Sequence, residues 1–104
     1  MIKSALEFMA LAALKREQVE VRGQTVHIRE LSVADRDRLL KFEAGNATAI
    51  PAFLVAQCAV TPEGAPLFSA EEAAQLAQAA PEVVDAVAAA IMKLSGLGAD
   101  EKNG

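Results

Sequence analysis

Gln18-Val19-Glu20-Val21-Arg22-Gly23-Gln24-Thr25-Val26-His27-Ile28-Arg29 alternates apolar and polar residues on both sides of one glycine. An alternation of period two places every second side chain on the same face of a strand, so this stretch reads as a β-hairpin over about residues 18–29. Arg22-Gly23-Gln24-Thr25 offers a two-residue turn with glycine at its first central position, the requirement of a type II′ turn. That turn predicts Val21 opposite Val26 and Val19 opposite Ile28 on the apolar face. On the other face it sets Glu20 against His27 and Arg22 against Thr25. A slip of one residue would mix the two faces.

Toward the N-terminus the period changes. Residues 3–16 contain no Gly or Pro, are rich in Ala and Leu, and set Ile2, Ala5, Leu6, Met9, Ala12 and Ala13 along one helical face expected to pack inward. Phe8, Leu11 and Leu14 fall outside that stripe, among Lys3, Glu7 and Lys15. The helix therefore carries more apolar surface than one buried side requires, and these three residues are candidates for contact with another chain.

Toward the C-terminus, Ser32 with Asp35 forms a capping box in which Asp replaces the usual Glu. It opens a helix to about Ala44 that Gly45-Asn46 ends, with Asp37 and Lys41 as an i,i+4 pair. The next helix begins near Thr48, accepts Pro51 in its first turn and runs on to Val60 with a single polar residue, as expected of a central helix. Thr61-Pro62-Glu63-Gly64 suits a type I turn, and Ala65-Pro66-Leu67-Phe68 continues as an extended crossing. Ser69 with Glu72 makes a full capping box for a short helix to about Gln78. Pro81 stands at a first helical position, and Val84, Val87, Ala88, Ile91 and Leu94 line one face of the last helix. Gly96 is its expected left-handed stop, with Leu97 folding back on Met92. The fold class is mainly α (α+β), about five helices with one β-hairpin between the first and second. Residues 1–97 form a single helical domain, and 98–104 a flexible C-terminal tail.

The totals agree. The chain has 104 residues and a net charge of −4, with 23 alanines and neither Trp nor Tyr. One thin core built on close helix contacts is the expectation, and a core with so few large anchors leaves room for stabilisation by self-association. The only basic-rich stretch, Arg29 to Lys41, is interleaved with Glu30, Asp35 and Asp37, whose charges cancel the field a phosphate backbone would need. No nucleic-acid partner is expected. Nor is a membrane: no segment approaches an apolar span, and Glu7 interrupts the run from Ala5 to Leu14 that could pass for a signal-peptide core. A single cysteine, Cys58, allows no internal disulfide and suits a reducing cytoplasm, with the side chain in the core.

Chemistry-bearing motifs are lacking. There is no phosphate loop, no metal-ligand spacing and no nucleophile elbow. Glu71-Glu72 and Glu82 with Asp85 lie in first turns of helices, where carboxylates meet free amides and the positive end of the dipole. One histidine, His27, can serve neither Ser32 nor Ser69. No enzyme, cofactor or metal site is expected, and the chain reads as a protein that binds other proteins.

Three segments carry a resemblance to a known family: Val26-His27-Ile28-Arg29-Glu30-Leu31-Ser32 with Asp35-Arg36-Asp37, Leu54-Val55-Ala56 through Gly64-Ala65-Pro66-Leu67-Phe68-Ser69, and Leu94-Ser95-Gly96-Leu97. In this order they resemble the tail assembly chaperones of long-tailed bacteriophages and prophages. The resemblance implies a non-catalytic protein of the bacterial host cytoplasm that coats the tape measure protein, recruits tail tube subunits and is absent from the mature virion. The surfaces expected to do this are Phe8, Leu11 and Leu14 on the first helix with Leu67 and Phe68 at the crossing. Glu101-Lys102-Asn103 can be encoded by a slippery string, and such families often make a longer frameshifted product. The alternative is a structural tail-completion or head-to-tail joining component of the virion.

Overall fold

The computed structural model describes residues 1–43 and 49–97. Among the described residues, five α-helices and a three-stranded antiparallel sheet follow in the order α1 (Ala5–Leu11), β1 (Arg16–Val21), β2 (Gln24–Arg29), α2 (Val33–Glu43), α3 (Ile50–Cys58), β3 (Ala59–Val60), α4 (Ala70–Ala74) and α5 (Pro81–Leu94). A 3-10 turn, Gln75–Gln78, extends α4. The mainly α class with a hairpin between the first two helices is the one read from the sequence. The expected stop at Gly45-Asn46, the start at Thr48 and the tail 98–104 lie outside the described residues.

The hairpin forms, but with another turn and register. Arg22 (φ 51°) and Gly23 (φ 79°) are its two central residues, and positive φ at both is the signature of a type I′ turn rather than II′. Val19 therefore faces Val26, Glu20 faces Thr25, and Gln18 faces His27. The shift from the expected pairing is two residues, so each side chain keeps its face and Val19, Val21, Val26 and Ile28 still gather on one side. Glu20 accepts a hydrogen bond from the Thr25 hydroxyl at 2.5 Å instead of meeting His27.

A second difference concerns the end of α3. The apolar run was expected to stay helical to Val60, but Ala59 and Val60 turn into a strand and pair with Ile28 and His27 of β2. The chain then reverses through Thr61–Gly64, where the Gly64 amide donates to the Thr61 carbonyl, and Leu67 returns an amide to the Ala59 carbonyl. The bend brings Gly64 under the Arg16 side chain: a Cβ there would collide with Nη1 of the guanidinium.

Helix α5 packs along α3 and across the apolar face of β1 and β2. Ile28, Leu31, Leu39, Leu54, Val55, Cys58, Val84, Val87, Ala88 and Ile91 form one buried core. Both predicted ends of α5 are present. Pro81 sits in its first turn, and the Gly96 and Leu97 amides donate to the Lys93 and Met92 carbonyls, a full Schellman motif with Gly96 at φ 77°. The Phe42 and Phe53 rings stack at 4.7 Å and tie α2 to α3.

Candidate protein-binding surface

A polar junction fixes the frame from which the candidate surface projects. Ser32 and Asp35 make the expected capping box, each side chain bonding the other's amide at 3.1 and 3.0 Å. Its carboxylate is also the centre of a charge cluster. Asp35 is 1 % exposed and lies 2.6 Å from Arg29 and 2.9 Å from Arg38. Arg29 extends the cluster, donating to the Glu30 and Gln57 carbonyls at 2.9 and 2.7 Å and to Cys58 Sγ at 3.8 Å. From the other side, Ser95 Oγ accepts from the Leu31 amide at 2.9 Å and the Ser95 carbonyl accepts from Arg36. The sheet, α2, α3 and the end of α5 are thereby pinned together.

Burial raises the Asp35 carboxyl, but the Ser32 amide, the Arg29 guanidinium, the Ser32 hydroxyl and Arg38 outweigh it and hold the group at about 2. The Cys58 thiol moves the other way. Burial pushes it up to about 12, against the opposing pull of the Arg29 charge. It is a core residue, as expected. Among the residues that carried the family resemblance, Arg29, Leu31, Ser32, Asp35, Arg36 and Ser95 are thus architectural, whereas Asp37 pairs with Lys41 at the surface.

The surface itself begins where the core ends. Every residue from Met1 to Gln18 is exposed. Helix α1 is held locally, by the Ser4 hydroxyl accepting from the Glu7 amide and by Glu7 accepting from the Lys3 amide. At seven residues it is half the predicted length, and it buries none of them. The expectation that Ile2, Ala5, Leu6, Met9, Ala12 and Ala13 pack inward is therefore overturned: Leu6 is 82 % exposed and Met9 64 %, and the others are exposed as well. The physical reason is that β2, α3 and α5 already cover one another, and the chain passes from α1 straight into edge strand β1. Phe8 and Leu11 stand one turn apart on the opposite side of α1, exposed as the sequence predicted, and Leu14 follows in the segment leading to β1. Leu6 and Met9 are binding candidates that periodicity alone assigned to the core.

Leu67 and Phe68 lie on a different element. They line a shallow cleft with Glu72, Gln75, Leu76 and Ala79. Leu67 is exposed, whereas Phe68 is half-buried and packs on the core, so only part of its ring is free for a partner. A neighbouring apolar groove of about 280 Å³ shares Leu76 and Ala79 and continues to Pro51, Pro81 and Val84, with Asp85 at its edge. The carboxylates at the helix starts behave as caps and surface charges: Glu72 completes the capping box with Ser69, and Glu82 lies 3.5 Å from Arg22 with both side chains exposed. Among the described residues no helix is long and apolar enough to cross a membrane.

No family model matches the chain, and no curated protein matches it in sequence. Among solved structures the fold is similar to that of the bacteriophage HK97 tail assembly chaperone, with a TM-score of 0.68 over 86 % of this chain and 95 % of that one, at 20 % identity. The chain therefore has the fold of a phage tail assembly chaperone over nearly the whole length of both proteins, in agreement with the resemblance read from its residues.

Proposed function

We propose that this chain is a non-catalytic tail assembly chaperone of a long-tailed bacteriophage or prophage, which binds the tape measure protein and recruits tail tube subunits during tail morphogenesis. The observation that carries this reading is an uncovered apolar arm, Met1 to Leu14, on a fold similar to that of a phage tail assembly chaperone. A tape measure protein is a long helical client whose apolar stripes aggregate unless covered, and helix-against-helix burial is a general way of covering them. Phe8, Leu11 and Leu14 supply that contact on the arm, and Leu67 with the free edge of Phe68 supplies a second one. The chaperone acts in the host cytoplasm and leaves before the virion is complete.

Co-expression with the tape measure protein of the same phage tests the reading. The wild-type chain keeps the client soluble and co-purifies with it. Phe8→Glu/Leu11→Glu/Leu14→Glu loses both properties while its own unfolding free energy changes by less than about 0.5 kcal/mol, because none of the three residues is in the core. Client solubility that is independent of the chain sinks the proposal. So does stoichiometric presence of the chain in purified particles, which is the behaviour of a tail-completion or joining component.

A further inference from the structure

The sheet is closed along one edge and open along the other. At β3 the returning chain covers the outer side: Pro66 bridges Val60, and the Leu67 amide donates to the Ala59 carbonyl. At β1, the other end of the order β1-β2-β3, no strand does so among the described residues. The Lys15 carbonyl accepts from the Glu30 amide, and in an antiparallel ladder every second residue bonds its neighbour. Lys15, Glu17, Val19 and Val21 therefore spend their backbone groups on β2. Arg16, Gln18 and Glu20 point theirs outward. The strand runs from Arg16 to Val21 without bulge or proline, so only its charged side chains restrict what pairs with it.

Beside this edge runs a groove of about 550 Å³, with the half-buried Val19, Ala90 and Leu94 on its floor and Lys15 and Lys93 at its rim. A strand added to β1 lays every second side chain over that floor. This is the geometry of β-strand addition, in which backbone bonds give affinity and pockets for alternate residues give specificity. The remaining side chains of such a strand fall on the opposite face, where Arg16, Gln18 and His27 line a polar hollow with Pro62. Farther along that face, Glu20 and Arg22 are already engaged with Thr25 and Glu82. The charge left to meet a partner is mainly cationic: Arg16 on one side, Lys15 and Lys93 on the other, against Glu17.

We infer that the β1 edge is a further protein-binding site, which takes up an extended segment of a partner protein that alternates apolar and acidic residues. The apolar residues fill the groove against α5, and the acids meet Arg16 beside His27. The site is separate from Phe8, Leu11 and Leu14 and stands whether or not those residues hold a helical client.

The probe is the capped peptide Thr-Val-Thr-Val-Glu-Val-Glu, in which antiparallel pairing sets the glutamates opposite Gln18 and Arg16. Titrated into the full chain, it protects the Arg16, Gln18 and Glu20 amides from hydrogen exchange and leaves Glu17, Val19 and Val21 as protected as before. Gln18→Pro removes one outward amide and no bond to β2, so it melts as the wild type does and binds the peptide about tenfold less tightly or worse. Arg16→Glu weakens binding several-fold, and exchanging both glutamates of the peptide for lysine restores it. Absence of binding at millimolar peptide overturns the inference, as does equal affinity of Gln18→Pro. So does protection of the outward amides without peptide: if it persists on dilution, the chain's own residues cover the edge, and if it grows with concentration, a second copy does. Phe8→Glu/Leu11→Glu/Leu14→Glu binds the peptide like the wild type, so failure of this site and failure of the client contact are distinct results.

Discussion

Arg29 Nη1 lies 2.6 Å from Asp35 Oδ2, and through this contact the last residue of the hairpin holds the first turn of α2 in the interior. The carboxylate is buried, while Arg29 keeps a quarter of its side chain in solvent and spends its remaining donors on Glu30, Gln57 and Cys58. Removing one partner leaves the other's charge without compensation in a site that water reaches poorly. Asp35→Ala is therefore expected to destabilise the chain by about 2–4 kcal/mol, measurable by urea unfolding at neutral pH.

The same residue gives the fold an acid dependence of known sign. The folded state holds Asp35 at about 2, below the reference value of 3.8, so protons bind the unfolded chain more readily. Its contribution is complete above the unfolded value and drains away as pH falls through the folded one. The stability difference between wild type and Asp35→Asn should be constant from pH 7 to about pH 5 and shrink between about pH 4 and pH 2. An unchanged difference at pH 2 would show that Asp35 is not ionised by its neighbours in this way.

Ser95 is buried and its hydroxyl is the acceptor for the Leu31 amide. Ser95→Ala strands a buried donor, and an unmade hydrogen bond of this kind costs about 1–3 kcal/mol. Hydrogen exchange at the Leu31 amide should accelerate along with the loss of global stability. Protection that survives the substitution would mean that another group satisfies the amide.

At the hairpin turn Arg22 adopts a left-handed conformation at φ 51°, which a branched or long side chain adopts at a cost and asparagine adopts readily. Arg22→Asn gives up only an exposed pair with Glu82 and should raise stability by about 0.5 kcal/mol. Gly23→Val, at φ 79°, should lower it by about 1 kcal/mol or more. Thermal melts of the two variants should move in opposite directions. If the turn were of type II′ over Gly23-Gln24, Arg22→Asn would bring no gain.

Cys58 is fully buried and its thiol is held near 12. In the native state it should react with a chromogenic disulfide reagent only as fast as the chain unfolds, and at once in denaturant. Rapid labelling of the folded protein would contradict the placement of α3.

Several features were legible from short stretches of sequence because their causes are local. The two capping boxes at Ser32 and Ser69, the helix start at Pro81 and the left-handed stop at Gly96 depend on residues no more than a few positions apart, and each is present in the structure. The hairpin was legible as a hairpin, but not its register. Alternation fixes only which face a side chain takes, and pairings two residues apart sort Val19, Val26 and Ile28 equally well. Choosing between them required the torsions of Arg22 and Gly23. The strand at Ala59-Val60 was hidden in the same way: an apolar run is equally at home in a helix or a buried strand until a neighbour with free backbone groups, here β2, reaches it.

By itself the sequence determined a mainly helical chain with one hairpin, the starts of α2, α4 and α5 and the stop of α5, and an excess of apolar surface near the N-terminus around Phe8, Leu11 and Leu14. Only the tertiary structure decided that the excess includes both faces of α1. A helix wheel shows that Leu6 and Met9 share a side, but coverage of that side depends on which elements arrive beside it. In this fold β2, α3 and α5 close over one another and leave the arm outside. The Arg29–Asp35–Arg38 cluster has the same origin, since its members lie on β2 and α2 and meet only because the chain turns sharply between them.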